Sequence, residues 1–195
     1  MADKKKDNIV KNALILFAIT IIAGVLLGLT YEVTKEPIKV QQARIKNEAL
    51  QAVVVEATSF NPMAIEEGVY PGVEGIYEAV NGTDLIGYAF EMTATEGYGG
   101  NISLMVGIAT DDTVLGIDIV KHSETPGLGA KADEADFKAE FAGEAADDLA
   151  VVKFTPSDNA GDVSSISGAT ITSKSVTAAV NVAIDYFDDQ LMGVK

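Results

Sequence analysis

Hydrophobic positions change rhythm several times along this chain, and each rhythm predicts a different element. From Ala13 to Thr30 they run on without a charge, as ALILFAITIIAGVLLGLT. At about 1.5 Å per residue that stretch crosses most of a roughly 30 Å hydrocarbon layer, so it predicts a membrane-spanning helix. The alternative is the apolar core of a cleaved signal peptide, but such cores are shorter, about 7–15 residues, and end in a small-x-small site. This one runs into Tyr31, Glu32 and Val33, which favours a retained anchor. Lys4, Lys5, Lys6 and Lys11 precede it against Asp3 and Asp7. A basic flank keeps the N-terminus cytoplasmic and sends the rest of the chain across the membrane. Gly24 and Gly28 form a G-x-x-x-G pair, which is either a contact face for another helix or ordinary glycine usage in a membrane segment.

Beyond the anchor the pattern becomes helical again. IKVQQARIKNEALQAVVVEA follows Pro37, which is placed to start a stalk helix or the first helix of a domain. Thr58 to Gly75 carries Pro62, Gly68, Pro71, Gly72 and Gly75 and predicts a loop. Next come IYEAV and LIGYAFEMTA around Asn81-Gly82, then Ile102–Ala109 and Val114–Val120 around Asp111-Asp112. Strands at hairpin spacing with no helix between them predict an antiparallel meander. Gly97, Gly99 and Gly100 flank Tyr98 between the hairpins, as a loop that lets backbone approach a ligand or as a plain flexible turn.

The remaining pieces are a short helix over Lys131–Phe141, a strand over Val151–Phe154, a loop over Ser157–Asp162 and a final helix. In that helix Val176, Ala179, Val180, Ala183, Ile184 and Phe187 share one face. The expected fold class is therefore α+β: an antiparallel sheet with flanking helices, preceded by one N-terminal transmembrane helix. The expected boundaries are a cytoplasmic tail over 1–12, the transmembrane helix over 13–30, a stalk helix and loop over 31–70, and a domain over 71–195.

Length and apolar content, 195 residues at 48% hydrophobic, suit one domain with appendages. Charge sharpens the picture. Residues 1–30 hold four lysines against two aspartates, so of the net −15 the remaining residues carry −17. Such a surface repels nucleic acid. With no cysteine, disulfides, thiolate metal sites and iron–sulfur clusters are excluded, and a lone histidine, His122, cannot build a histidine-rich metal site. No metal ligands and no catalytic acid, base or nucleophile are assigned.

The candidate chemistry lies in two loops. Ser167, Gly168, Ala169 and Thr170 precede the last helix, where unpaired backbone N–H groups favour an anion such as phosphate. The competing reading makes them only a cap and a turn. The second loop is HSETPGLG, His122 to Gly129. Pro126 fixes one dihedral there, and Gly127 and Gly129 permit turns that residues with a Cβ resist, although P-G is also a common turn.

SGATITS, Ser167 to Ser173, resembles the S-G-A-T flavinylation motif of the FMN-binding subunits of the Rnf electron-transport complex and of the sodium-translocating NADH:quinone reductase. HSETPGLG resembles the H-x-E-T-P-G-L-G loop of the same subunits. By size the chain is most similar to the RnfG proteins. The resemblance implies one covalent FMN, joined through its phosphate to Thr170, with Ser167, Gly168 and Ala169 around the bond. It also implies that Glu124, Thr125, Pro126, Gly127, Leu128 and Gly129 lie beside the flavin. Implied partners are a flavin transferase and the other membrane redox subunits of a complex that moves electrons between ferredoxin and NAD, coupled to Na+ or H+ transport. The implied location is the cell (inner) membrane, with one pass and the C-terminal domain outside the cytoplasm.

Glu124 reads as a structural hydrogen-bond acceptor rather than an acid catalyst. Tyr98 reads as a core or surface packing residue, with stacking on a flavin as the alternative. The family pattern has aspartate three residues before the motif serine, where this chain has Ser164. Other functional readings are the NqrC component of the quinone reductase, a free-standing flavinylated carrier, or, more distantly, an anchored acidic binding module without a cofactor.

Overall fold

The structure, a computed structural model, describes residues 2–65, 68–153 and 160–192. It divides into two compact units, Met1–Arg44 and Ile45–Lys195. Helix α1 spans Ala2–Val53. In the first unit its apolar side chains are uncovered, among them Phe17 at 63% and Leu27 at 71% exposure. Each large apolar side chain left in water forgoes about 1.5–3 kcal/mol, so a hydrocarbon environment is what this surface fits. Thr20 and Thr30 turn their hydroxyls back onto the carbonyls of Phe17 and Leu26, which removes polar groups that a bilayer would leave unpaired.

Pro37 lies inside α1 instead of starting a new helix, which corrects the expectation. Interior proline costs about 3 kcal/mol, but the helix formers on both sides of it continue the same helix.

In the second unit the meander is present: β1 (Ser59–Pro62), β2 (Val73–Asn81), β3 (Asp84–Ala94), β4 (Ile102–Ala109) and β5 (Val114–Lys121) pair antiparallel in that order. Asn81 faces Asp84 across the β2–β3 turn, where Gly82 takes φ +67°, a conformation that a side chain resists. Asp112 does the same job between β4 and β5 with φ +72°, the one non-glycine residue in that region among the described residues. The Thr58–Gly75 stretch, expected as loop, contains β1 and the start of β2.

Each face of the sheet packs on a helix. On one side Phe90, Met92, Leu104, Val106 and Ile108 meet Val176, Val180, Ala183 and Ile184 of the last helix, α3 (Thr170–Tyr186). On the other, Ala89 and Met105 meet Ala49, Leu50, Val53 and Val54 from the end of α1. Both faces of β4 are therefore covered, which explains why its sequence is a nearly continuous apolar run. Gly107 is needed there, since a Cβ would come within 3.0 Å of the Val53 carbonyl carbon.

A 3₁₀ turn over Gly129–Asp133 and a short α2 (Ala135–Ala139) replace the single helix expected over 131–141. Lys138 ties them down, with Nζ 3.0 Å from Asp118 and 3.1 Å from Asp133. The expected strand over 151–154 is β6 (Ala150–Val152), which pairs in parallel with β7 (Asp162–Ser164). Phe154 and residues 157–159 of the expected loop lie outside the described residues.

Lys46 fastens the end of α1 to the sheet. Its Nζ is 2.6 Å from Glu91 Oε2 and 4.9 Å from the centre of the Tyr77 ring. Burial works to lower its pKa, but hydrogen bonds to Glu91 and Tyr77 and the nearby carboxylate raise it on balance. A raised lysine contributes stability that is complete below the ordinary value of 10.5 and is lost as pH rises through the folded-state value. Lys46→Met should therefore lose up to about 1 kcal/mol at pH 8, the scale of a solvent-screened pair. In urea titrations that gap should close as pH rises through the raised folded-state pKa of Lys46, and a gap independent of pH would assign the loss to packing instead.

Candidate functional site

The two loops singled out in the sequence come together at the start of α3. After β5 the chain turns at Thr125–Leu128, where Leu128 N–H donates to the Thr125 carbonyl at 3.1 Å and Gly127 takes φ +78°. The second turn is Ile166–Ala169, closed by Ala169 N–H to the Ile166 carbonyl at 2.9 Å, with Gly168 also at φ +78°. Ser173 holds that turn from inside the helix: its Oγ accepts from Ile166 N–H at 3.0 Å and donates to the Ala169 carbonyl at 3.1 Å. The helix begins at Thr170, and the cap residue is Ala169, with no side-chain cap bond. Ser167 and Gly168 therefore belong to the turn and cap nothing.

Glu124 joins the loops. It is only 6% exposed. Its Oε2 accepts from Thr172 Oγ1 at 2.8 Å, and its Oε1 accepts from Gly99 N–H at 2.9 Å. Its own N–H donates to His122 Nδ1 at 3.2 Å. The packing around the carboxylate leaves no room for side chains at two glycines. A Cβ on Gly129 would overlap Oε2 and sit 2.6 Å from Thr172 Oγ1, and one on Gly97 would sit 2.9 Å from Oε1.

Between the loops lies a cavity of about 540 Å³. Glu124, Thr125, Leu128 and Gly129 line it from one loop, Gly168, Ala169 and Thr170 from the other, with Ile171, Thr172 and Tyr98 completing the wall. Ser167, Pro126 and Gly127 do not line it. They are exposed beside it, and Ser167 borders a smaller cavity of about 240 Å³ that Glu140 and Ser164 also line. Tyr98 is 72% exposed, so it is not a core residue.

The three hydroxyls at the head of α3 differ in what they can do. Thr172 and Ser173 are fully buried and hydrogen bonded. Thr170 is partly exposed, lines the cavity and makes no side-chain hydrogen bond. The N–H groups of Thr170, Ile171 and Thr172 come before the first helical bond, made by Ser173 N–H to the Ala169 carbonyl at 3.0 Å. Among the described residues no lysine or arginine lines the cavity, so backbone N–H groups are its positive end.

These residues fit FMN. The volume is in the usual ligand range of about 300–1,000 Å³. An unpaired hydroxyl and helix-terminal N–H groups suit a phosphate, and Leu128, Ile171 and Tyr98 offer apolar surface to a ring. Sequence reasoning does not find Ile171 as a lining residue, or Gly99 and Glu140 as partners. Ile171 has no signal beyond its place in the first helical turn, while Gly99 is marked only by its glycine-rich neighbourhood.

The class that these features define is a protein with a membrane-type N-terminal helix and an α+β domain with an anion-accepting cavity at a helix head. Residues 97–185 match the family model of the FMN-binding domain, and residues 1–53 match that of the RnfG N-terminal region. Over 194 residues the chain is 36% identical to the G component of the ion-translocating oxidoreductase complex of Methanosarcina acetivorans, covering 97% of this chain and 99% of that one. It is 34% identical over 190 residues to the G component of the Na+-translocating ferredoxin:NAD+ oxidoreductase complex of Acetobacterium woodii, covering 92% and 91%. The crystal structure of NqrC from Shewanella oneidensis shares the fold, with a TM-score of 0.53 at 17% identity over 70% of each chain. The chain belongs to the RnfG/NqrC family of FMN-binding subunits of ion-translocating oxidoreductase complexes. Its location is the membrane.

Proposed function

We propose that this chain is a covalently flavinylated electron relay of an Rnf-type complex, with FMN joined to Thr170 by a phosphoester. The observation that carries this reading is the contrast among the hydroxyls: Thr170 alone of the first-turn hydroxyls is unpaired and faces the cavity, beside unpaired N–H groups. In the attachment reaction, run by a flavin transferase, Thr170 Oγ1 attacks the flavin-side phosphorus of FAD. A new O–P bond forms, the pyrophosphate P–O bond breaks, AMP departs and the threonine proton leaves to a base. The diester keeps one negative charge, which the head of α3 favours by about 0.3–1 kcal/mol when exposed.

The departure at Ser164 has a counterpart in three dimensions. Ser164 N–H and Oγ–H both donate to Glu140 Oε2, at 3.1 and 2.7 Å. A carboxylate thus meets the backbone where the family pattern carries aspartate, which supports the reading of the turn as an attachment site.

Bound flavin supplies the redox chemistry, and the chain binds and orients it. Glu124 holds three segments of the cavity wall together, and Thr125, Pro126, Gly127, Leu128 and Gly129 form the loop beside the ring. The chain itself carries no catalytic residue and acts as a redox carrier between other membrane subunits, passing electrons between ferredoxin and NAD. The coupling ion is Na+ or H+. Relatives of nearly equal identity, 34% and 35%, carry the sodium and the proton name. Relatives matched over almost their whole length and named as the G component, together with the match over residues 1–53, favour this reading over an NqrC component of the quinone reductase. The basic flank supports a cytoplasmic N-terminus with residues 31–195 on the other side of the membrane.

One experiment tests both attachment and orientation. Full-length chain made together with a flavin transferase should give a band in a denaturing gel that still fluoresces, with the matching mass increase. Protease added to spheroplasts should remove that band. A dark band would refute the attachment, and a protected one the orientation.

A further inference from the structure

Tyr98 is displayed in an unusual way. It is 72% exposed at the cavity wall and takes part in none of the aromatic pairs among the described residues. Yet the loop that carries it is tightly held. Gly99 N–H is bonded to Glu124 at 2.9 Å, and Gly100 N–H closes a turn onto the Gly97 carbonyl at 3.3 Å. A Cβ on Gly99 would lie 2.6 Å from the Ser123 carbonyl carbon, and one on Gly97 would lie 3.0 Å from Ile102 Cδ1. The glycines on either side thus press the backbone against its neighbours, and the ring between them has to project.

Two other large apolar side chains are exposed on the same cavity wall: Leu128 at 44% and Ile171 at 55%. Three segments far apart in the chain therefore each present one large side chain to a single opening. An exposed ring with two χ angles, on a backbone already fixed, loses little freedom when a ligand covers it.

We propose that Tyr98 is the positioning residue for the flavin ring, stacking on it while Leu128 and Ile171 give it apolar contacts. This rests on the reading of the cavity as the FMN site. An aromatic pair of this kind is offset or tilted and orients the ring as well as covering it.

The test uses the full chain, loaded with flavin by a transferase and kept in detergent, beside Tyr98→Phe and Tyr98→Ala. Three quantities are measured: intact mass, flavin emission, and quenching of that emission by iodide. A stacked tyrosine quenches an excited flavin by electron donation, and phenylalanine does not. Expected is the same flavin mass in all three proteins, emission several-fold higher in both variants, and iodide quenching increased in Tyr98→Ala alone. Equal emission in all three, with the flavin mass present, would overturn the role of Tyr98 and leave the attachment standing. No flavin mass in the unsubstituted protein would overturn the attachment itself, and the stacking with it.

Discussion

Thr170→Ala should give a folded, soluble and colourless protein that has lost the whole flavin mass. Thr170 makes no side-chain hydrogen bond and caps nothing, since the cap position is Ala169. The substitution should therefore cost less than the roughly 0.5–2 kcal/mol of a lost cap. Thr172→Ala should behave in the opposite way. It takes a buried hydroxyl away from Glu124 Oε2 and so destabilises the domain by about 1–3 kcal/mol, yet it keeps the covalent flavin. Intact mass and chemical denaturation of the two variants separate these outcomes. A Thr170→Ala chain with the flavin mass still attached would move the bond to another hydroxyl.

The second large effect belongs to Glu124 and the glycine packed on it. Glu124→Ala leaves a Thr172 hydroxyl and the Gly99 N–H without their acceptor, a loss on the order of 3 kcal/mol for the pair. Gly129→Ala keeps every hydrogen-bonding group but forces a methyl onto the Glu124 carboxylate, with about 1–3 kcal/mol of overpacking. Against a usual domain stability of about 5–15 kcal/mol these are large fractions. Both variants should unfold at clearly lower denaturant and incorporate less flavin. A Glu124→Ala protein with an unchanged midpoint would mean that the three segments are held by something else.

Much of the fold can be read from local signals, because the residues that cause it are neighbours in the chain. Asn81-Gly82 marks the β2–β3 hairpin, Asp111-Asp112 the β4–β5 turn, and the spacing of Val176, Val180, Ala183 and Ile184 the buried face of α3. What escapes is set by distant parts. β1 is four residues long and reads as loop, since its hydrogen bonds come from β2 rather than from any pattern of its own. β7 is three residues and exists only beside β6. Pro37 misleads because a proline marks helix starts more often than interiors, and only the flanking residues decide between them.

The candidate site divides the same way. Both loop motifs stand out in the sequence, but the bonds of Glu124 to Gly99 and Thr172, and of Ser164 to Glu140, join residues 24 to 48 positions apart. No local pattern announces a pairing over that distance.

Those spans also bear on the order of assembly. Glu124 reaches back 25 residues to Gly99 and forward 48 residues to Thr172. Contacts over such separations carry a loop-closure cost before they return any stability. Until α3 docks, the Glu124 carboxylate is solvated, and docking has to strip that water before Thr172 can replace it. The group that completes the cavity therefore also sets a barrier to closing it, and the cavity is among the last parts of the domain to come into existence.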